Sequence, residues 1–236
     1  MPFAVIIPTL QRSTELPELL QLCAAHRLVD EVIVINNHPR PLETQHDKVQ
    51  VLQQPANIYV NPAWNLGVRR STSRNLAILN DDILFTPTLF DHMDKVLQRK
   101  NVGIVGPDRS AMNTPDRRHP RIHPVYRRSH GYGTAMFMRR THYAPIPDEI
   151  KIYYGDEWLF RQQARRNYTF TGHGIRTEMS VTSGSQEFTE RLLRDREAFR
   201  AVLETTTAPG KPLDHTLYVG ARRTARRLLG RPSTYP

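Results

Sequence analysis

Along the first hundred residues, short apolar runs alternate with segments whose apolar positions return every three or four residues. Phe3 to Leu10 reads as a buried strand that Pro8 ends, and Leu16, Leu19, Leu20 and Cys23 then share one helical stripe. Glu31 to Asn36 is a second apolar run, of the kind that suits a central parallel strand covered on both faces. Lys48 to Leu52 is a weaker third strand. Pro62 to Ser73 is helical, with Trp64 and Val68 four apart, and Asn75 to Leu79 is a strand that halts at Asn80-Asp81-Asp82. Strand and helix alternating at this spacing predict an α/β fold with an open, mostly parallel sheet and right-handed crossovers.

The second half is less regular. Leu89 to Gln98 and Glu157 to Arg166 read as helices, and Val102 to Val105 and Thr134 to Met138 as strands. Strand-like pieces between Tyr168 and Ser183 are broken by Gly172 and Gly174, and Glu187 to Glu204 is a charged amphipathic helix. Between Asp108 and His130 lies a polar stretch with Pro115, Pro120 and Pro124, too long for an ordinary connection and expected to be functional or disordered. Tyr218 to Gly230 reads as a basic helix carrying Arg222, Arg223, Arg226 and Arg227, ahead of a Pro-rich tail. The expected division is a main domain over 1–185, with halves 1–105 and 106–185, and a helical extension with a basic tail over 186–236.

Length and charge narrow the classes. A chain of 236 residues can bury a sizeable core, and no apolar run approaches the roughly 18 residues needed to cross a bilayer. The strand-like start lacks the basic head and cleavage site of a signal peptide, and the single Cys23 excludes an intramolecular disulfide and a cysteine-based zinc site. A cytoplasmic location follows as the expectation. The net charge is +10; Lys48, Lys95, Lys100, Lys151 and Lys211 are the five lysines, which leaves 28 of the 33 basic residues as arginine. Guanidinium forks suit phosphate, so a polyanionic partner and a plain solvated surface are both open on composition.

Two short segments carry candidate chemistry. In Leu79-Asn80-Asp81-Asp82-Ile83, adjacent carboxylates close a strand at the edge where open α/β sheets bind ligands. Such a pair repels unless a proton or cation relieves it, and Mg²⁺ or Mn²⁺ takes one or two carboxylates and completes its shell with phosphate and water. A turn or a helix cap explains the same residues more blandly. In Tyr153-Tyr154-Gly155-Asp156-Glu157-Trp158, acids open a helix, where they offset its dipole, and aromatic neighbours would partly desolvate a carboxylate toward use as a base.

In order and spacing these pieces resemble the nucleotide-sugar glycosyltransferases of the GT-A fold, especially the family-two group, over about residues 3–185. The resemblance begins at Ala4-Val5-Ile6-Ile7-Pro8-Thr9 and continues through Glu31 to Asn37 and through Asn57. Asn65-Leu66-Gly67-Val68 matches the family's Asn-x-Gly helix, Asn80-Asp81-Asp82 its Asp-x-Asp, and Gly155-Asp156 followed by Leu159 its Glu-Asp pair and base. It implies a single GT-A domain and a nucleoside-diphosphate sugar, a UDP-sugar first, lying on Pro8, Thr9, Arg12, Asn37, Asn57, Asn65, Asn80 and Asp81. It also implies Mn²⁺ or Mg²⁺ on Asp82 with Asp81, and inverting transfer with Asp156, beside Glu157, as the base. Three positions depart from the pattern. Asn36-Asn37 stands where relatives have an Asp for uracil, the triplet opens with Asn80, and the region of the family's later metal-binding His reads Ile175 to Ser180, where Glu178, ahead of His173, is the expected substitute ligand.

In a GT-A fold the second half forms the acceptor side. Arg109, Arg117, Arg118, Arg121, Arg127 and Arg128 fall there, with Tyr132 and Trp158 as further acceptor contacts, and the basic C-terminal helix is a second candidate surface. Both suit DNA, with a hydroxymethylated pyrimidine as the first choice of acceptor and base flipping as the route to it. A cell-envelope glycan, a lipid at an anionic membrane surface and a protein acceptor are the alternatives, and a non-catalytic nucleic-acid-binding module stands outside this class.

Overall fold

The computed structural model describes residues 2–178, 186–207, 209–210, 216–218 and 221. The expected basic helix over 218–230 lies almost wholly outside the described residues. Within them the elements run β1 (Phe3–Thr9), α1 (Leu16–Ala25), β2 (Val29–Asn36), β3 (Val49–Gln53), α2 (Val60–Arg70), β4 (Asn75–Leu79), β5 (Ile83–Phe85) and α3 (Thr88–Leu97). They continue with β6 (Val102–Pro107), β7 (Arg121–Val125), β8 (Ala135–Arg139), α4 (Gly155–Arg161), β9 (Arg166–Thr171), β10 (Ile175–Thr177) and α5 (Gln186–Thr205).

Eight strands form one sheet in the order β3-β2-β1-β4-β8-β6-β9-β7, and β10 pairs with β5 in a two-stranded ribbon. β1 to β4 are mutually parallel, β8 runs against β4 and β6, β9 is parallel to β6, and β7 runs against β9. The tips of β1, β2, β4, β6 and β9 therefore open on one edge of the sheet, the edge where such folds bind ligands.

Residue alternation in β1 shows how the core is divided. Phe3, Val5 and Ile7 join the cluster that α1 and α3 cover with Leu16, Leu19, Cys23, Phe90 and Met93. Ala4 and Ile6 join the opposite cluster, covered by Trp64 of α2, Leu159 of α4 and Phe199 of α5. A strand buried on both faces needs apolar residues at every position, which is why its sequence reads as a continuous run. Gly67 lets α2 settle onto this sheet, since a Cβ there would lie 2.5 Å from Ile6 Cγ2.

The pattern reading needs three corrections. Pro8 does not end β1; the strand runs to Thr9. The Thr9 carbonyl accepts from Asn37 N–H on the β2 side, so position 8 faces the β4 side, where pairing stops at Ile6 and Ile78 and no donor is required. The polar stretch 108–130 is not one long loop, because Arg121–Val125 forms the outer strand β7, and an edge strand accepts Pro124 and polar residues on its open side. The helix expected to reach Arg166 stops at Arg161, as Gln163 turns inward to donate to the carbonyls of His142 and Leu159, and Arg166 already opens β9. Among the described residues no helix is long and apolar enough to cross a membrane.

Candidate active site

The sheet edge gathers polar side chains from the ends of three parallel strands. At the tip of β1, Thr9 accepts from the Gln11 N–H and donates its hydroxyl to Asp81 Oδ2 at 2.6 Å. Beside it Asn36 donates to Gln53 Oε1 and the Arg40 carbonyl and accepts from Gln11 Nε2, while the Asn37 carboxamide oxygen accepts from Ile58 N–H. Asn57 fixes a tight turn through its bond from Tyr59 N–H, and Arg12 is exposed at the rim. Gln11 belongs to this floor although no motif in the sequence singled it out. Polar residues beyond a strand tip carry no periodic signal.

Beyond β4, Asn80 N–H donates to the Thr134 carbonyl, which sets the direction of the acid pair. Burial pushes the Asp81 carboxyl above its ordinary range, the Thr9 hydroxyl opposes that shift, and the neighbouring charge of Asp82 reinforces it. Asp82 Oδ2 accepts from the Thr177 hydroxyl at 3.2 Å, and its buried Oδ1 has no hydrogen-bond partner. A buried anionic oxygen with nothing to accept from is costly unless a cation meets it. Among the described residues no three His, Cys, Asp or Glu converge as a complete ligand set. Two adjacent carboxylates, one of them with an unmet buried oxygen, match the donor set of a hard divalent ion, so the residues present fit Mn²⁺ or Mg²⁺.

β10 carries Thr177, not Glu178, to Asp82; Glu178 is exposed one residue further on. His173 is buried and shares a 2.8 Å hydrogen bond with His92 of α3, so its ring is engaged away from the acid pair.

The second acid pair is built differently. Tyr154 adopts a left-handed φ of 63° and Gly155 passes against Asn61, where any Cβ would collide with Asn61 Oδ1. Asn61 Nδ2 donates to the carbonyls of Ile150 and Tyr153, and Asp195 of α5 accepts from the N–H groups of Lys151, Ile152 and Tyr153. The segment that delivers Asp156 is thus clamped from two helices. Arg128 Nη1 lies 2.9 Å from Asp156 Oδ2 and its Nε donates to Glu157 Oε2, while Arg161 Nε donates to Glu157 Oε1 at 2.7 Å. Burial pushes the Asp156 carboxyl up, and the Arg128 guanidinium partly reverses the shift.

Other expected contacts are corrected by burial. Tyr132 is fully buried and donates to the carbonyls of Ile104 and Tyr168, and Trp158 donates to the Pro145 carbonyl from within the core, so neither offers an acceptor surface. Asn65 spends its amide on Ile146 and Tyr143: it donates to the Ile146 carbonyl and accepts from Ile146 N–H and the Tyr143 hydroxyl, which ties α2 to the 143–146 connection rather than to a nucleotide. Arg117, Arg118 and Arg121 are exposed on the β7 side, whereas Arg127 and Arg128 are half-buried.

An open sheet of this order, with a carboxylate pair at the tip of its fourth strand and an acid-led helix beside it, defines a GT-A fold. The chain belongs to the family "Glycosyl transferase family 2", whose model matches residues 4–169. Solved structures agree on the fold. Mannosyltransferase PcManGT from Pyrobaculum calidifontis, in complex with GDP-Man and Mn²⁺, is similar at 15% identity with a TM-score of 0.59, over 88% of this chain and 65% of that one. TarS 1-349 of S. aureus is similar at 12% identity and a TM-score of 0.56, over 75% of this chain and 60% of its own. GalNAc-T7 with UDP, GalNAc and Mn²⁺ is similar at 9% and 0.57, over 83% of this chain and 48% of its own. The chain thus spans between about half and two thirds of the length of these three. Among curated proteins, none has a sequence that matches this chain significantly.

Proposed function

We propose that the protein is a metal-dependent, inverting glycosyltransferase that moves a sugar from a nucleoside-diphosphate donor, a UDP-sugar first, to an acceptor hydroxyl. The observation that carries this reading is the buried, partnerless Asp82 Oδ1 beside Asp81 at the tip of β4. Gln11 and Asn37 at the neighbouring strand tips would meet base and ribose, held in place by Thr9 and Asn36, whose polar atoms are already spent on Asp81, Gln53 and the Arg40 carbonyl. Asp82, with Asp81, would hold Mn²⁺ or Mg²⁺, which when bound stabilises negative charge on the diphosphate. The relatives in complex with UDP and with GDP-Man support a nucleotide donor without favouring one base.

Asp156 takes the proton from the acceptor hydroxyl. The acceptor oxygen forms its bond to the anomeric carbon as the bond to the diphosphate breaks, and that bond's electron pair leaves with the nucleoside diphosphate. Burial favours a base whose affinity for protons exceeds that of a free carboxylate, and Arg128 keeps it ionised before the acceptor arrives. The buried position of Glu157 between Arg128 and Arg161 suits orientation of this pair rather than proton transfer.

For the acceptor, the arginines on the β7 side favour a phosphate-bearing polymer, with a hydroxymethylated pyrimidine in DNA as the first choice. The test is turnover of a donor panel with and without Mn²⁺, with mass spectrometry of hydroxymethylated DNA as product. A hexose or pentose mass added only with metal supports the reading. Absence of donor turnover under every condition would favour a non-catalytic binding module.

A further inference from the structure

Between β7 and the turn that follows β9, the chain forms an open surface cavity of about 460 Å³ whose lining includes Ser110, Arg117, Arg118, His119, Arg121, His123 and Thr171. Its frame is tied down by backbone bonds. Arg117 N–H donates to the Gly172 carbonyl at 2.7 Å, Asn113 N–H to the Ile175 carbonyl at 2.7 Å, and β7 pairs with β9 through five registered residues. The volume falls in the range of small-ligand sites, roughly 300–1,000 Å³, so it fits one phosphorylated unit rather than a whole duplex.

Charge identifies the class of ligand. No carboxylate lines the cavity, and Asp116, next to Arg117 in sequence, accepts from Gly174 N–H. Among the described residues, none forms an ion pair with Arg117, Arg118 or Arg121, whereas Arg27, Arg128, Arg161 and Arg176 each face an acid. Three guanidinium forks around one space, with two imidazoles beside them, match the donor geometry of a phosphate. The donor's diphosphate does not fit here, since β7 lies four strands from β4 in the sheet, roughly 20 Å at about 4.8 Å per strand.

We propose that this cavity holds a backbone phosphate of a nucleic-acid acceptor, several nucleotides away from the one that reacts. The proposal rests on the transfer reading above for the word acceptor, but not for the binding itself. β8, whose start adjoins the Thr134 to Gly131 turn packed against Asp156, is three strands from β7, roughly 15 Å. That separation spans about four steps of a B-form strand at 3.4 Å each. The cavity therefore acts on acceptors longer than this reach and not on a single nucleoside. Among the described residues the large exposed apolar side chains, which a membrane-docking surface would supply, are Leu192, Leu193, Leu217 and Tyr218, none of which lines the cavity.

The experiment compares wild type with R117Q/R118Q/R121Q, and with the single reversal R121E, by fluorescence anisotropy on a labelled single-stranded 12-mer across a salt series. Vesicles of phosphatidylglycerol form a parallel arm, and thermal melting verifies the fold of each variant. The expected result is at least a tenfold weaker affinity for the triple variant and a salt slope smaller by about 0.7, the value for one phosphate contact on a single strand. In transfer assays the advantage of a hydroxymethylated 12-mer over the nucleoside should shrink at least tenfold. Equal oligonucleotide affinity and slope in folded variants would overturn the proposal, as would wild-type binding to vesicles but not to the 12-mer. Loss of oligonucleotide binding in the variants of a protein that transfers no sugar would support the cavity while refuting the transfer reading.

Discussion

The molecule holds two pairs of adjacent acids, and their surroundings are opposite. Among the described residues Asp81 and Asp82 meet no cation, only the hydroxyls of Thr9 and Thr177 and backbone N–H groups, and one buried oxygen is left without a partner. Asp156 and Glu157 already have their cations, since Arg128 bridges both and Arg161 closes on Glu157. On the proposed reading the first pair awaits a cation from solution. The second is neutralised within the chain, with Arg128 on the Asp156 oxygen to which the same reading gives the proton. Whether the fold supplies a guanidinium is what separates the two surroundings.

Removing the incomplete pair should have the largest effect. Asp82→Ala is expected to lower transfer about a thousandfold, since the charge stabilisation a divalent ion gives is worth several kcal/mol. Excess chelator added to wild type should reproduce that loss, and full activity of either would break the contrast. Asp156→Asn should lower kcat about a hundred- to ten-thousandfold while UDP affinity, read by calorimetry, stays within a few-fold.

Arg128→Gln sharpens the comparison through pH. Burial raises the Asp156 carboxyl and Arg128 lowers it, so loss of the guanidinium leaves the raising causes unopposed. Activity needs the ionised base, hence the acid limb of the kcat profile should move to higher pH in the variant; an unmoved or lowered limb would separate Arg128 from the base. That limb must be distinguished from acid unfolding. The His92 imidazole, pushed down to about 4 by burial and by His173, is neutral in the fold and charged in the unfolded chain between about 4 and 6.5. Wild-type thermal stability should therefore fall as pH drops through that window, and His92→Gln should flatten the fall. The smallest effect is expected from Thr177→Val, which removes one hydroxyl from Asp82 and should shift Mn²⁺ affinity by only a few-fold.

The first half of the chain was legible because its strands are buried on both faces. Continuous runs such as Val32 to Ile35, and the stripe Leu16, Leu19, Leu20 and Cys23, state their burial directly, and all of these side chains are buried. The second half hid its structure in polar sequence. β7 has one partner and one open side, so Arg121 to Val125 shows no apolar run. Residue type also fails to separate inside from outside for amphipathic side chains. Tyr132 and Trp158 read as ligand contacts, yet each buries its ring and finds a backbone carbonyl for its donor. Contacts distant in sequence, such as Thr177 with Asp82 or Arg128 with Asp156, follow from the closing of the sheet and leave no local trace.

The most direct measurement is electron paramagnetic resonance of Mn²⁺ titrated into the protein with UDP present, for wild type and Asp82→Ala. The account predicts that the free-ion signal of about one Mn²⁺ per wild-type chain disappears on binding, and that it persists in the variant at the same concentrations. Equal disappearance in both proteins would show that the ion is held elsewhere and would contradict the role given to the β4 acids.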